Sequence, residues 1–310
     1  MVTVPHITPA PRRLCLEGTG GLSLVADDYG PEQAPAVLLL HGFGQTRRAW
    51  RATAHELARA GYRVVAPDAR GHGESGHARD GDYWLDDFVD DARRFCRHLG
   101  GPVLVGASMG GLTGLLAEAE NRRRLVAGLV LVDIAPRWET SGVERILAFM
   151  KARPEGFKSL DDAARSVAEY LPQREPRKTV EGLEPYLRET DDGRLVWHWD
   201  PNLLAQFGAE PAPYHQRLMA AAGLLTCPTL LVSGELSEVV SDEGITEFLQ
   251  AVPHARHDSI PGAAHMVAGD QNDAFTESVR RFIAALDHSS NGSTQGGPES
   301  AAPWSGRYSA

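Results

Sequence analysis

Cysteine is scarce in this chain: three residues in 310, Cys15, Cys96 and Cys227, widely spaced and with no CxxC pair. An odd number without paired spacing excludes a disulfide framework and a thiolate metal site, and reads as reduced thiols in a cytoplasmic protein. Long hydrophobic runs are missing as well. No stretch reaches the roughly 20 apolar residues of a membrane span. The segment Met1 to Arg13 carries prolines but no apolar core of signal-peptide length. Positive charge is also short. The net charge is −10, and the densest basic cluster, Arg122-Arg123-Arg124, reads as a helix end offsetting its dipole. An acidic surface argues against nucleic acid and anionic membrane as partners. What remains is the 42% hydrophobic, 23% charged composition of an ordinary globule, long enough to bury a large core.

Short apolar runs alternate with helical segments. Arg13 to Glu17 and Leu22 to Asp28 read as an amino-terminal hairpin. Buried strands are expected at Ala36 to Leu40, Tyr62 to Ala66, Val103 to Val105, Leu129 to Val132, Thr229 to Val232 and His257 to Ile260. Helical patterns fall between them at Trp50 to Ala60, Leu85 to His98 and Glu243 to Ala251. This alternation predicts an α/β fold, with a mostly parallel sheet of about eight strands covered by helices on both faces. The rhythm breaks between about Arg137 and Tyr214. There Val143 to Lys151 and Leu160 to Leu171 read as amphipathic helices, the second opening on a Ser159…Asp162 capping pattern. The expected organisation is a core of 1–136 and 215–287, an inserted helical cap of 137–214, and a disordered tail of 288–310 rich in Ser, Gly and Pro.

The chemistry concentrates at Val103-Leu104-Val105-Gly106-Ala107-Ser108-Met109-Gly110-Gly111-Leu112. An apolar strand runs into Gly-x-Ser-x-Gly and then into a helix with Leu112, Leu115 and Leu116 at helical spacing. That context is a nucleophile elbow, which lifts a serine hydroxyl above the sheet edge. A serine nucleophile needs a base, an orienting acid and donors for an oxyanion. His265, in the turn Ile260-Pro261-Gly262-Ala263-Ala264-His265, is the expected base. For the acid, Glu238 in the loop after Thr229 to Val232 is favoured, Asp133 at the end of the preceding strand is the rival, and Glu235 stands third. The oxyanion donors are expected to be the backbone N–H groups of Met109, at a helix start, and Phe43, in His41-Gly42-Phe43-Gly44. His41 is expected to shape that loop by hydrogen bonding rather than act as a base. The loop Asp68-Ala69-Arg70-Gly71-His72-Gly73-Glu74-Ser75 reads as structural. Trp138, Trp197 and Trp199 are candidates to line an apolar pocket.

Four of these motifs together, in this order, resemble the α/β-hydrolase superfamily: His41 to Gly44, Asp68 to Ser75, the Gly-Ala-Ser-Met-Gly-Gly elbow and the His265 turn. The resemblance spans about residues 11 to 287. Gly262 to Phe275 and Trp197-His198-Trp199-Asp200-Pro201 are similar to a serine branch of esterases and cofactor-free haloperoxidase-like and epoxide-hydrolase-like proteins. Epoxide hydrolases and haloalkane dehalogenases carry aspartate at the elbow, so Ser108 sets this chain apart from both. The resemblance implies a serine hydrolase acting on a small-molecule carboxylic ester or lactone, with no metal or organic cofactor. Perhydrolysis, C–C cleavage or another non-hydrolytic step in the same pocket is the alternative, and a non-catalytic binding module the next.

Overall fold

The computed structural model describes residues 10–170, 182–206, 212–265 and 272–292. In chain order the strands are β1 (Arg12–Glu17), β2 (Ser23–Tyr29), β3 (Ala36–Leu40), β4 (Arg63–Pro67), β5 (Val103–Ala107), β6 (Gly128–Val132), β7 (Leu187–Glu189), β8 (Leu195–Trp197), β9 (Thr229–Leu236) and β10 (Arg256–Ala264). The helices are α1 (Arg51–Arg59), α2 (Leu85–His98), α3 (Met109–Ala119), α4 (Thr140–Lys151), α5 (Leu160–Tyr170), α6 (Leu203–Gln206), α7 (Ala212–Ala222), α8 (Asp242–Ala251) and α9 (Thr276–Gly292).

Eight strands form one sheet in the order β1-β2-β4-β3-β5-β6-β9-β10. From β4 to β10 every pairing is parallel, while β2 runs antiparallel to both β1 and β4. The sequence explains the division. β5 and β6 are apolar and buried at every position, as a central parallel strand covered on two faces must be. β1 alternates exposed and half-buried residues and ends the sheet with Arg12 and Arg13, a charged edge that resists further pairing. Two apolar layers flank the sheet: Leu38, Leu104, Leu131 and Phe95 on one side, Val37, Val105, Val130 and Phe282 on the other. The parallel strands all end at one edge, and the site is built there.

The expected elements are present with shifts of a few residues, and several expectations change. β9 and β10 extend four residues beyond the predicted strand ends, so Ala264 pairs with Leu236 and His265 follows a strand directly. A β7–β8 hairpin joins the helices between β6 and β9. α7 starts at Ala212, so the expected cap boundary at 214 falls inside a helix, and Leu218, Ala221 and Ala222 of that helix pack in the sheet's own apolar layer. α9 continues to Gly292, so the first five residues of the expected disordered tail are helical; residues 293–310 lie outside the described residues. The arginine cluster lies three to five residues beyond the end of α3. Arg93 donates to the Leu116 and Ala117 carbonyls, and Arg124 instead serves its own turn through Val126 and Ala127. Ser159 does start α5 as predicted, its Oγ accepting from the Asp162 N–H at 3.2 Å. No described helix is long and apolar enough to cross a membrane.

Glycine at the elbow is a steric requirement. A Cβ on Gly106 would lie 2.3 Å from the Gly110 carbonyl oxygen and 2.5 Å from the Gly111 nitrogen, both backbone. β5 and α3 therefore meet at a separation that no larger residue permits. Gly106→Ala is expected to destabilise the protein by about 1–3 kcal/mol through overpacking. The urea midpoint measures it; an unchanged midpoint would show that the elbow can open without cost.

Candidate active site

The elbow places Ser108 between β5 and α3 with φ 47° and ψ −118°. This lies outside the regions a serine prefers, and such strain costs about 1–3 kcal/mol where surrounding structure enforces it. Here the Ser108 N–H donates to the Val132 carbonyl on the neighbouring strand, and its own carbonyl accepts from Gly111 and Leu112. Ser108 is half-buried at the start of α3, where the first helical N–H groups have no intrahelical acceptor. Met109 provides the first of those groups, and the helix dipole favours negative charge beside it.

Asp133 follows β6 as Ser108 follows β5, and these strands pair through Ala107 and Val132. It is the other non-glycine residue with positive φ, at 52°, among the described residues. The turn aims its carboxylate across the sheet edge. Oδ1 accepts from the Gly234 N–H at 2.9 Å, and Oδ2 accepts from Ser237 Oγ at 3.1 Å and from His265 Nδ1 at 2.7 Å. The side chains of Asp133 and His265 are 3% and 10% exposed. A carboxylate oxygen is the acceptor here, so the His265 proton on this side sits on Nδ1.

Glu238 is not part of this arrangement. Its side chain is 60% exposed, and both carboxylate oxygens lie 2.7 Å from Arg145 Nη1 of α4. Glu235 accepts the Gly262 N–H at 2.8 Å instead. The carboxylate that the structure brings to His265 is thus Asp133, the rival, and not the favoured Glu238: β9 runs on to Leu236 before residue 238 is reached, while Asp133 sits one residue beyond a strand adjacent to the elbow.

The loop His41 to Gly44 lies against the elbow, a Cβ on Gly42 falling 3.3 Å from Ser108 Cβ. Three buried imidazoles hold it. His41 Nδ1 donates to the Gly42 carbonyl at 2.8 Å while its Nε2 accepts from the Ala69 N–H at 2.9 Å. His72 Nε2 accepts from the Gly44 N–H at 3.1 Å, and its Nδ1 donates to the Arg70 carbonyl at 3.0 Å. His198 Nδ1 accepts from the Gly73 N–H at 2.8 Å, and its Nε2 donates to the Gly44 carbonyl at 3.2 Å. Every ring has one nitrogen taken by a backbone donor, so every ring is neutral. Burial works the same way, lowering the pKa of His41, taking that of His72 well below the usual range and bringing that of His198 down to about 3.

The loop Asp68 to Ser75 is anchored in turn. Asp68 accepts from the Arg47 and Glu74 N–H groups and pairs with the Arg47 guanidinium, which also meets Asp27 and Glu74. Arg70 makes a two-pronged contact to Asp91 at 2.7 and 2.9 Å. Beside Met109, a cavity of about 40 Å³ lined by His41, Asp68, Phe88, Phe95 and Thr113 has room for water.

Above the edge, the segment between β6 and β9 supplies an apolar cluster of Phe149, Met150, Trp197 and Trp199, which includes Met109. The Trp197 and Trp199 rings stack at 4.8 Å. Gly44, at φ 73°, takes part directly: a Cβ there would meet Met150 Cε at 2.9 Å and the Trp199 ring at 3.4 Å. Trp138 is elsewhere. It meets the His215 ring edge-on at 4.1 Å against the sheet's helical layer. The role of His198 escaped the sequence reading, although His198 lies within the quoted Trp197 to Pro201 motif.

A parallel sheet with a strained serine at its edge, a histidine held by a carboxylate and glycine-rich loops beside them defines a hydrolase-type fold and site. A family model described as the alpha/beta hydrolase fold matches residues 35–271. The sn-1-specific diacylglycerol lipase ABHD11 of Mus musculus is 31% identical over 263 residues, 82% of this chain and 83% of the relative. The esterase Rv0045c of Mycobacterium tuberculosis is 30% identical over 261 residues, 81% of this chain and 83% of its own. Its solved structure aligns with a TM-score of 0.69 at 26% identity, covering 89% of this chain and 93% of that one. An alpha/beta hydrolase from Novosphingobium aromaticivorans gives 0.74 at 25% identity, over 89% and 98%. The chain belongs to the α/β-hydrolase family and is an enzyme of the hydrolase class.

Proposed function

We propose that this protein is a serine hydrolase that cleaves a carboxylic ester or lactone of a small molecule through an acyl-enzyme. Ser108 Oγ attacks the carbonyl carbon as its proton passes to His265 Nε2. Asp133 accepts the His265 Nδ1–H, fixing the tautomer and stabilising the imidazolium. The Met109 and Phe43 N–H groups take the charge on the carbonyl oxygen. Collapse expels the alcohol, which receives the proton from Nε2. Water then repeats the sequence, and His265 returns its proton to Ser108. The described residues between β6 and α7 act as a cap, with Trp197 and Trp199 contributing apolar surface over the oxyanion loop.

The observation that carries this reading is the 2.7 Å bond from His265 Nδ1 to Asp133, at the same sheet edge as the strained Ser108. The relatives named as an esterase and as a diacylglycerol lipase support an ester as the substrate class. The test is stopped-flow hydrolysis of a p-nitrophenyl ester series from acetate to octanoate, with fluorophosphonate labelling located by peptide mass. The expected result is a nitrophenol burst equal to the enzyme concentration and a label on Ser108. A label elsewhere, or no turnover across the series, overturns it.

A further inference from the structure

The oxyanion loop contains three consecutive peptide groups, and each is held by a different histidine. His41 fixes the Gly42–Phe43 group through its carbonyl, and His72 fixes the Phe43–Gly44 group through its N–H. The Gly44–Gln45 group is fixed through its carbonyl, and the ring that holds it comes from outside the sheet domain. His198 follows β8, in the segment between β6 and β9. Its other nitrogen takes the Gly73 N–H, so one ring joins that segment to both loops beneath it. Trp199 adds apolar contact at Gly44 from the same three-residue stretch.

We propose that His198 is a positioning residue for catalysis: by donating Nε2–H to the Gly44 carbonyl it anchors the far end of the loop that carries the Phe43 N–H, so that the segment covering the pocket also helps to complete the oxyanion hole. This rests on the serine-hydrolase reading above. The argument is one of leverage. Gly42 and Gly44 lack side chains, and Gly44 has φ 73°, so the loop has little torsional stiffness of its own. An oxyanion donor works only if it is oriented before charge develops, and small displacements of such groups cost large rate factors. The Gly42–Phe43 group is held by residues next to it in sequence, including the Gln45 N–H to the Gly42 carbonyl at 3.1 Å. On the far side, His198 is what ties the Gly44 carbonyl. Its neutral form is enforced because Gly73 N–H occupies Nδ1, which leaves the proton on Nε2 where the loop needs it.

Two amides separate the two ends of the ring. Gln at 198 places an amide nitrogen near the Nε2 position and can still donate to Gly44; Asn places an oxygen near Nδ1 and keeps only the Gly73 contact. The experiment measures kcat and KM of wild type, His198→Gln and His198→Asn on the best p-nitrophenyl ester, with thermal midpoints alongside. His198→Asn is expected to lose about tenfold to a hundredfold in kcat with KM changed less than about threefold, while His198→Gln retains at least about a third of wild-type kcat. Equal kcat in the two variants, or a loss carried by KM, overturns the inference. If His198→Asn does not fold, imidazole ¹⁵N spectra of the wild type before and after phosphonylation of Ser108 decide: a shifted His198 Nε2 resonance supports the role, and an unchanged one overturns it. Ser108→Ala is run in parallel. Ester turnover that survives in that variant refutes the serine mechanism and this inference with it; turnover lost there but equal in both His198 variants refutes this inference alone.

Discussion

Asp133→Asn is expected to reduce kcat/KM by about 10³–10⁴, while Glu238→Gln leaves it within about twofold. The backbone gives no reason for the first variant to misfold. Asn is among the few residues that tolerate positive φ, so the turn at 52° survives the change. Its side-chain oxygen can still accept from the Gly234 N–H. What changes is the group facing His265. An amide NH2 there would donate toward Nδ1, push the imidazole proton to Nε2, and leave no base facing Ser108. The loss should therefore fall on acylation and deacylation alike, with the urea midpoint nearly unchanged. Glu238→Gln removes one exposed ion pair to Arg145, worth at most about 1 kcal/mol. Steady-state kinetics on one ester separates the two carboxylates. If Glu238→Gln produced the large loss instead, the His265–Asp133 bond would not be the working one.

The difference between these two residues shows what was legible in the sequence. Ser108 and His265 could be singled out because their signals are local: a strand, a glycine-flanked turn and a helix around one, a glycine-bearing turn after a strand around the other. The eight strands were legible for the same reason, since β5 and β6 are continuous apolar runs that suit burial on two faces. The acid depended on strand length and order. β9 runs on to Leu236, which places Glu238 away from His265, and nothing in the composition of Gly234 to Leu236 marks those residues as strand. The clue pointing the other way was Asp133 directly closing an apolar strand, where a carboxylate needs partners from another element. The β7–β8 hairpin was missed because three-residue strands give too little alternation to read. His198 was missed because its partners are two backbone groups more than 100 positions away in sequence.

Those buried rings also set the acid limit of the fold. His41, His72 and His198 are neutral in the folded chain and titrate near 6.5 when unfolded. A base with a lowered folded pKa gives stability that is full above the unfolded pKa and is lost as pH falls toward the folded value, which for His198 is about 3. Between about pH 6 and that value His198 contributes a slope of about 1.4 kcal/mol per pH unit, because only the unfolded chain binds its proton. His198 alone removes roughly 2 kcal/mol between pH 7 and pH 5, and the burial of His41 and His72 acts in the same direction. Neighbouring charges do not reverse the sign. Asp68 favours protonation of His41, but burial outweighs it, and His72 faces only further imidazoles and a carbonyl. The half-buried His55, His215 and His257 shift in the same direction. Carboxylates act lower: Glu74, held down to about 2 by hydrogen bonds from Arg47 and Arg13, loses its contribution only below about pH 4.5. The urea midpoint is therefore expected to fall from pH 7 to pH 5. In His198→Gln the slope should drop by about one proton, or 1.4 kcal/mol per pH unit. A midpoint that stays level down to pH 4.5 would mean that these imidazoles accept protons in the folded state, and that the hydrogen bonds fixing the oxyanion loop are not the ones described.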